Sequence, residues 1–316
     1  MELWPQEYEA LRAELREQVA GLDASMRRTQ DADQSVDARV AEQRAIVAAM
    51  APPTGEGTDQ TIAGIPCRLY HPTAEPRGVY LHFHGGGMIL GEPSMNDADN
   101  QSLADHHQLV VVSVDYRLAP EHPHPAGLDD AMTVAAWLLD HAAAELGSSV
   151  LLTGGESAGA YVAASVLLRL REEHRAADRI SGANLVFGVF DWGGNPSQRG
   201  QRPSDVADLL TPEAITFFTE LYLPGRTPEQ RRAPEVSPAH ADLTGLPPAL
   251  MTVGTADHLL DDTLVLAARW AAFGNQVDLH VIPDAPHGFQ MFGTSELARR
   301  HHQRMTSWFE SVLDPG

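Results

Sequence analysis

Short apolar segments alternate with helical segments along most of this chain, and this alternation restricts the folds that it can adopt. Strands are predicted at residues 62–70, 78–84, 109–115, 149–153, 183–189, 247–253 and 276–282. Helices are predicted at residues 129–139, 158–171, 263–273 and 295–313. This order predicts the α/β class, with a mainly parallel, doubly wound sheet that has helices on both faces.

Two regions depart from the alternation. Residues 1–50 are rich in Glu, Arg, Ala and Leu, and are predicted to be helical as far as a Pro-Pro-Thr-Gly breaker that follows. Residues from about 190 to 240 contain turn residues around one helical segment at 212–223. Ligands of open α/β sheets bind beyond the carboxyl ends of the strands. We therefore predict a catalytic domain over 51–316, roofed by an N-terminal helical cap arm (1–50) and a cap insertion (about 190–240).

A serine lies between a predicted strand and a predicted helix. The sequence Gly155-Glu156-Ser157-Ala158-Gly159 fits the pattern G-x-S-x-G and follows the strand at 149–153 directly. Glycines let the backbone turn sharply without Cβ clashes, so the serine is presented at the strand end with the positive end of a helix behind it. Alone, the pattern also fits an ordinary strand-to-helix turn. In this context it predicts Ser157 as a nucleophile.

A glycine-rich loop follows the predicted strand at 78–84. Acyl transfer places negative charge on the former carbonyl oxygen, and backbone N–H groups of Gly85, Gly86, Gly87 and Ala158 would stabilise that charge. The alternative is a loop that binds phosphate, but neither a Walker lysine nor G-x-G-x-x-G spacing follows. The loop is therefore predicted to form an oxyanion hole.

A base and an acid are needed to activate a serine hydroxyl, and both follow Ser157 in the order Ser, acid, His. Asp257 lies just past the strand at 247–253, and His287 lies just past the strand at 276–282. We predict that these two side chains complete a catalytic triad. Asp261 and Asp262 are rival acids, for which capping of the following helix is a sufficient explanation.

Composition excludes several other functions. Lys and Arg number 22 against 43 acids, a net charge of −21 that disfavours nucleic acid and anionic membranes as partners. Cys67 is the only cysteine, so no intramolecular disulfide can form, and a cytoplasmic location is expected. No signal peptide and no stretch of about 18 apolar residues is evident, which predicts no membrane span. Close histidine pairs lack the HExxH arrangement, and no metal is predicted.

Several motifs resemble the hormone-sensitive-lipase-like esterases of bacteria, over residues 62 to 312. The matching segments, in chain order, are 84–87 (HGGG), 115–121 (DYRLAPE), 157–159 (SAG), 237–238 (SP), 246–249 (LPPA) and 287–289 (HGF). The chain departs from the family at Glu156, where Asp is usual, at Ala160, where Gly is usual, and at His258, where Pro commonly follows the acid. These departures concern the surroundings of the site rather than the reaction.

The resemblance implies an α/β-hydrolase fold with a helical cap. It also implies that the substrates are small-molecule esters with short to medium acyl groups and that no cofactor is needed. It also implies oxyanion donors at Gly86, Gly87 and Ala158, and it favours a homodimer, although nothing in the sequence locates an interface. A lactone, an amide or an acetylated natural product stays open as substrate, because the same triad serves all acyl groups. A non-catalytic ligand-binding scaffold is disfavoured because His287 is present.

The acyl pocket is the least constrained part of the site. Apolar residues near the predicted loops could line it, although such residues more often belong to the core. The candidates are Met88, Ile89, Leu90, Trp192, Phe217, Phe218, Tyr222 and Phe289.

Overall fold

A computed structural model describes residues 4–17, 34–50, 53–203, 206, 210–292 and 296–314. Within these residues eight strands form one sheet in the order β1-β2-β4-β3-β5-β6-β7-β8. The strands are β1 (Thr58–Ile62), β2 (Ile65–Tyr70), β3 (Gly78–Phe83), β4 (Leu109–Val114), β5 (Leu151–Glu156), β6 (Ile180–Val186), β7 (Ala249–Gly254) and β8 (Val277–Ile282). From β4 to β8 all neighbours are parallel, whereas β2 is antiparallel to both β1 and β4.

Helices cover both faces of the sheet, as the alternation predicts. They are α1 (described over residues 12–17), α2 (Val36–Met50), α3 (Asp97–His107), α4 (Ala126–Glu145), α5 (Ala158–Arg169), α6 (Pro212–Tyr222), α7 (Pro228–Arg231), α8 (Leu260–Ala272) and α9 (Glu296–Leu313). Helices α4, α5 and α8 pack on one face and α3 and α9 on the other. Every residue of β3, β4 and β7 is buried, which explains their continuous apolar runs.

Two local features differ from the sequence prediction. The strand expected at 62–70 is the second half of a hairpin, because Ala63 and Gly64 adopt positive φ angles of 50° and 87° and reverse the chain between β1 and β2. Helix α3 has no counterpart in the prediction. Its sequence is polar, and only part of it is buried, so the apolar periodicity that marks a helix is weak there.

The regions predicted to form a cap are helical in the described part of the chain. Residues 1–3 and 18–33 of the arm lie outside the described residues, and α1 and α2 lie within the rest of it. The stretch 190–240 carries α6 and α7 in place of a strand. In the same described ranges, no helix is long and apolar enough to cross a membrane.

Candidate active site

Ser157 sits at the junction of β5 and α5 in a strained backbone conformation, with φ 55° and ψ −119°. Its N–H donates to the carbonyl of Val186 at 2.9 Å, which ties the turn to β6. The flanking glycines are needed for close approach rather than for the turn itself: a Cβ on Gly155 or Gly159 would lie 2.1 or 1.9 Å from the carbonyl oxygen of Phe83. The helix can therefore begin directly against β3.

The three residues predicted as a triad form one hydrogen-bonded chain. His287 Nε2 lies 2.9 Å from Ser157 Oγ, and His287 Nδ1 lies 2.9 Å from Asp257 Oδ2. Asp257 is fully buried, and its other oxygen accepts the N–H of Leu259 at 2.8 Å. The Phe187 ring packs edge-on against the imidazole, with centroids 4.7 Å apart. Both ring nitrogens of His287 are thus engaged along the line from hydroxyl to carboxylate.

The rival acids point elsewhere. Asp262 is buried and accepts the N–H groups of Phe190 and Asp191 at 2.8 Å each, while Asp261 accepts the N–H of Ser197 at 2.9 Å. Both lie in the first turn of α8, as expected, but the N-cap residue is Leu259 and receives no side-chain cap, so the capping role itself is wrong. Both residues instead hold the loop that follows β6.

The glycine-rich loop lies against the nucleophile. A Cβ on Gly85 would be 3.5 Å from Ser157 Cβ. Gly86 and Gly87 adopt positive φ angles of 119° and 64°, and the carbonyl of Gly86 accepts the N–H groups of Ile89 and Leu90. Within the part of the chain that the structure describes, the N–H groups of Gly86 and Gly87 donate to no protein acceptor. They remain available to a substrate oxygen.

The loop is held from behind by a buried histidine. His84 stacks on Tyr116 with ring centroids 4.3 Å apart, and Tyr116 donates its hydroxyl hydrogen to the His84 carbonyl at 2.7 Å. Burial lowers the pKa of His84 to about 4. His84 is therefore a neutral packing residue, and it rigidifies the loop without changing its charge near neutral pH.

Helices from the two regions predicted to form a cap contact this loop directly. Phe218 of α6 packs on Gly87, where a Cβ would come within 2.6 Å of the ring, and the Arg39 guanidinium of α2 lies 3.8 Å from the centroid of Phe217. Arg44 of α2 donates to the carbonyl of Ile89 at 3.0 Å and forms a two-pronged ion pair with Glu121. The arm and the insertion thus meet over the glycine loop.

The other pocket candidates are distributed around the site. Trp192 and Tyr222 are buried and pack together with ring centroids 5.1 Å apart, and Phe289 packs on Phe187. Met88, Ile89 and Leu90 are buried in the main core. Their role as an acyl pocket stays a prediction.

Ion pairs that the sequence did not predict hold the loop before His287, which we call the histidine loop. Arg12 and Arg16 form them with Asp284, and we call these three residues the α1 clamp. Asp284, three residues before His287, is buried and accepts hydrogen bonds from Arg12 at 2.7 Å and Arg16 at 2.6 Å. Its own N–H donates to Thr255 Oγ1 at 2.8 Å, in the loop that carries the acid. In the sequence, Asp284 is only an aspartate in a predicted turn, a position that local turn chemistry explains. Nothing in the sequence indicates that Arg12 and Arg16, near the other end of the chain, bind it.

Among the described residues, no group of three or more His, Cys, Asp or Glu side chains could hold a metal ion. Two histidines of the close pairs seen in the sequence bond other side chains: His82 bonds Ser113 and Glu156, and His107 bonds Glu310.

The chain is similar to several known proteins. A family model described as the alpha/beta hydrolase fold matches residues 80–291. The carboxylesterase NlhH of Mycobacterium tuberculosis is 35% identical over 243 residues, 73% of this chain and 73% of that protein. An acetyl esterase of Salmonella schwarzengrund is 27% identical over 252 residues, 79% of this chain and 73% of that protein. A hormone-sensitive lipase from a metagenome library superposes with a TM-score of 0.81 at 28% identity, covering 96% of this chain and 98% of the other.

A mainly parallel sheet with a serine at the β5–α5 turn defines the α/β-hydrolase class. Within that class, this chain belongs to the hormone-sensitive-lipase-like family of serine carboxylesterases. The fold class, the family and the membership of an esterase group that the sequence motifs predicted are confirmed.

Proposed function

We propose that the protein hydrolyses small carboxylic esters of short to medium acyl length through a Ser157-His287-Asp257 triad and a covalent acyl-enzyme. The observation that carries this proposal is the continuous chain of two 2.9 Å contacts from Ser157 Oγ through His287 to Asp257. A serine hydroxyl needs such a base to become nucleophilic near neutral pH, and the base needs a partner that stabilises its cationic form.

In the first half of the reaction, His287 Nε2 takes the hydroxyl proton as Ser157 Oγ attacks the ester carbonyl carbon. The N–H groups of Gly86, Gly87 and Ala158 receive the oxyanion of the tetrahedral intermediate. When the C–O bond to the alcohol breaks, His287 returns its proton to the departing oxygen. The acyl group is then esterified to Ser157.

In the second half, His287 removes a proton from water, and the hydroxide attacks the acyl carbonyl carbon in the same hole. The bond to Ser157 Oγ breaks, His287 reprotonates that oxygen, and the carboxylic acid leaves. Asp257 stays ionised throughout and orients the imidazole.

The cap and the names of the relatives support the substrate class. Helices α2 and α6 lie close over the glycine loop through Arg44 and Phe218, which favours acyl groups of limited length. The relatives are named a carboxylesterase and an acetyl esterase. We take the arm (1–50) and the insertion (about 190–240) as the two parts of this cap.

The test is hydrolysis of p-nitrophenyl acetate, butyrate, octanoate and palmitate by the purified chain without added metal. Activity should fall at the longer acyl groups, and Ser157→Ala should lower kcat by about 10⁶-fold. Ser165→Ala, on the same helix α5, should retain activity. Retained activity in Ser157→Ala would refute the nucleophile, and hydrolysis confined to lactones, amides or acetylated natural products would replace the substrate class.

Two expectations from the sequence stay predictions. A homodimer is tested by light scattering of the purified chain, and a cytoplasmic location is tested by fractionation of the source cells.

A further inference from the structure

A second cavity of about 310 Å³ lies on the α3/α9 face of the sheet. It opens between these two helices at the carboxyl ends of β3, β5 and β6, and the three triad residues do not line it. Glu156, the residue before Ser157, lines this cavity, and its carboxylate lies 3.3 Å from Nε2 of His82, another lining residue. The cavity is therefore behind the catalytic turn and separate from the proposed reaction.

The permanently charged side chains of the described lining are acidic. Glu156 and Asp99 both contribute carboxyl groups, and the described lining residues include no arginine or lysine, only the histidines His82, His106, His107, His301 and His302. Asp99 lines the cavity, and desolvation of its carboxyl group together with the charge of Glu156 raises its pKa. The nearby His82 is engaged by Ser113 and by Glu156 itself. Histidines are thus the basic groups near both carboxylates, since His82 bonds Glu156 and His302 interacts with Asp99. Because the described lining holds no arginine or lysine, the two carboxylates favour a cationic occupant.

Unpartnered polar atoms point to the same conclusion. Asn184 and His301 line the cavity with side chains that are only 4% and 3% exposed. Among the residues that the structure describes, Asn184 Oδ1, His301 Nδ1 and the Oε1 atom of Gln290, a third lining residue, have no hydrogen-bond partner. Buried polar atoms in folded proteins are almost always paired, so these residues mark a place where a polar ligand is accommodated.

Apolar side chains complete the lining. Tyr80, Leu103, Val186 and Met305 also line the cavity, so it offers carbon surface beside its acceptors. An ammonium group donates three hydrogen bonds, which suits carboxylate and amide oxygens, and an attached alkyl chain would cover the apolar part. In the described residues no cluster of ligating side chains is tight enough for a metal ion.

We propose that this cavity binds a small organic cation that carries a primary ammonium group. Glu156 and Asp99 neutralise the ammonium, Asn184 Oδ1 accepts one of its hydrogens, and the alkyl part packs on Tyr80 and Met305. The inference does not depend on ester hydrolysis.

The test is isothermal titration calorimetry of the full chain with n-butylammonium chloride at about pH 8, where ordinary histidines are neutral. 1-Butanol, which has the same alkyl chain without the charge, is the matched ligand control. We expect saturable binding of butylammonium with one site per chain, and no saturable binding of butanol.

Variants locate the site. Asp99→Asn and Glu156→Gln each remove one carboxylate and should weaken binding by at least about tenfold, because a hydrogen bond to a charged group is lost. Asp105→Asn, on the same helix α3 but bonded to Thr73, should leave binding unchanged. Thermal unfolding of each variant verifies that it is folded.

Several results would overturn the proposal. They are the absence of saturable binding by butylammonium, equal binding of butanol, unchanged affinity in both carboxylate variants, and tight Zn²⁺ binding that the same variants abolish. Because no ester is present, these outcomes are distinct from a failure of the proposed hydrolase activity.

Discussion

At the scale of single residues, the site depends on backbone conformations that cost free energy. Ser157 has φ 55°, a value that non-glycine residues adopt rarely and at a cost of about 1–3 kcal/mol. Its hydrogen bond to Val186 and the close packing of Gly155 and Gly159 on Phe83 compensate for that strain. The strained turn lifts the hydroxyl away from the strand and toward His287.

The glycine loop, the proposed oxyanion hole, should tolerate no side chain at Gly87. Gly87→Ala would place a methyl group 2.6 Å from the Phe218 ring at a φ of 64°, so the loop must shift. We expect kcat for p-nitrophenyl butyrate to fall about a hundredfold, the effect of losing one oxyanion donor. Gly64→Ala, also at positive φ but with open space around it, should leave kcat unchanged. Equal rates in both variants would contradict the role of the loop.

The identity of the acid is also a residue-scale question. Asp257→Asn should lower kcat by about 10⁴-fold, because the amide favours the wrong tautomer of His287. Asp261→Asn should change kcat little, since Asp261 bonds the Ser197 backbone instead. Steady-state kinetics of both variants distinguish the two acids, and the reverse result would exclude Asp257 as the triad member.

At the scale of elements, helices from the N-terminal arm stabilise the loops that carry chemistry. Helix α2 contacts the glycine loop through Arg44, whose ion pair lowers the pKa of Glu121 to about 2. Helix α1 contacts the histidine loop through Arg12 and Arg16 on Asp284. Both contacts join residues far apart in sequence, so the arm and the sheet must dock before the loops are held.

In the α1 clamp, loss of the two arginines should destabilise the protein more than loss of the aspartate. The double variant Arg12→Gln/Arg16→Gln leaves a buried carboxylate without these two countercharges, whereas Asp284→Asn leaves arginines that can reach solvent. We expect the double variant to lose about 3 kcal/mol of unfolding free energy, and more than Asp284→Asn loses. Urea unfolding measures both values. A smaller loss in the double variant would show that the clamp does not neutralise Asp284.

At the scale of the whole molecule, the chain combines a strong acidic excess with buried neutral histidines. Burial lowers the pKa of His280 to about 4 and lowers that of His301 as well. These two rings lie close together between β8 and α9, beside Tyr8. His280 and His301, which resist protonation, thus lie where the N-terminal segment, the edge strand β8 and the last helix α9 meet.

These histidines should make folding sensitive to acid. The unfolded chain binds protons at about pH 6.5, whereas folded His280 does so only near pH 4. The contribution of His280 to the free energy of unfolding is therefore fully present above about pH 6.5. It is lost as the pH falls toward 4, and the total loss is about 3 kcal/mol.

His280→Gln should reduce the loss of unfolding free energy between about pH 7 and about pH 4 by about 3 kcal/mol. The measurement is urea unfolding at a series of pH values between 7 and 4, for the wild type and for the variant. His122→Gln, at an exposed position, should keep the wild-type slope. An unchanged slope in His280→Gln would contradict the buried neutral state.

Local patterns in the sequence determined the order of strands and helices, the serine turn, the glycine loop and the candidates for base and acid. Each is a short-range signal, because strand and helix periods and the spacing of glycines around a serine depend on neighbouring residues. The sequence did not predict the hairpin at Ala63 and Gly64 or the polar helix α3, because the local patterns of both are weak.

Only the tertiary structure decided which aspartate faces His287, how Arg12 and Arg16 reach Asp284, and where the side chain of Glu156 points. Asp257 and Asp261 are four residues apart and chemically alike, and their roles differ only because one strand end lies beside the histidine loop. The cavity behind Ser157 exists because β3, β5, β6, α3 and α9 converge there. Contacts between distant segments depend on packing, which no local pattern encodes.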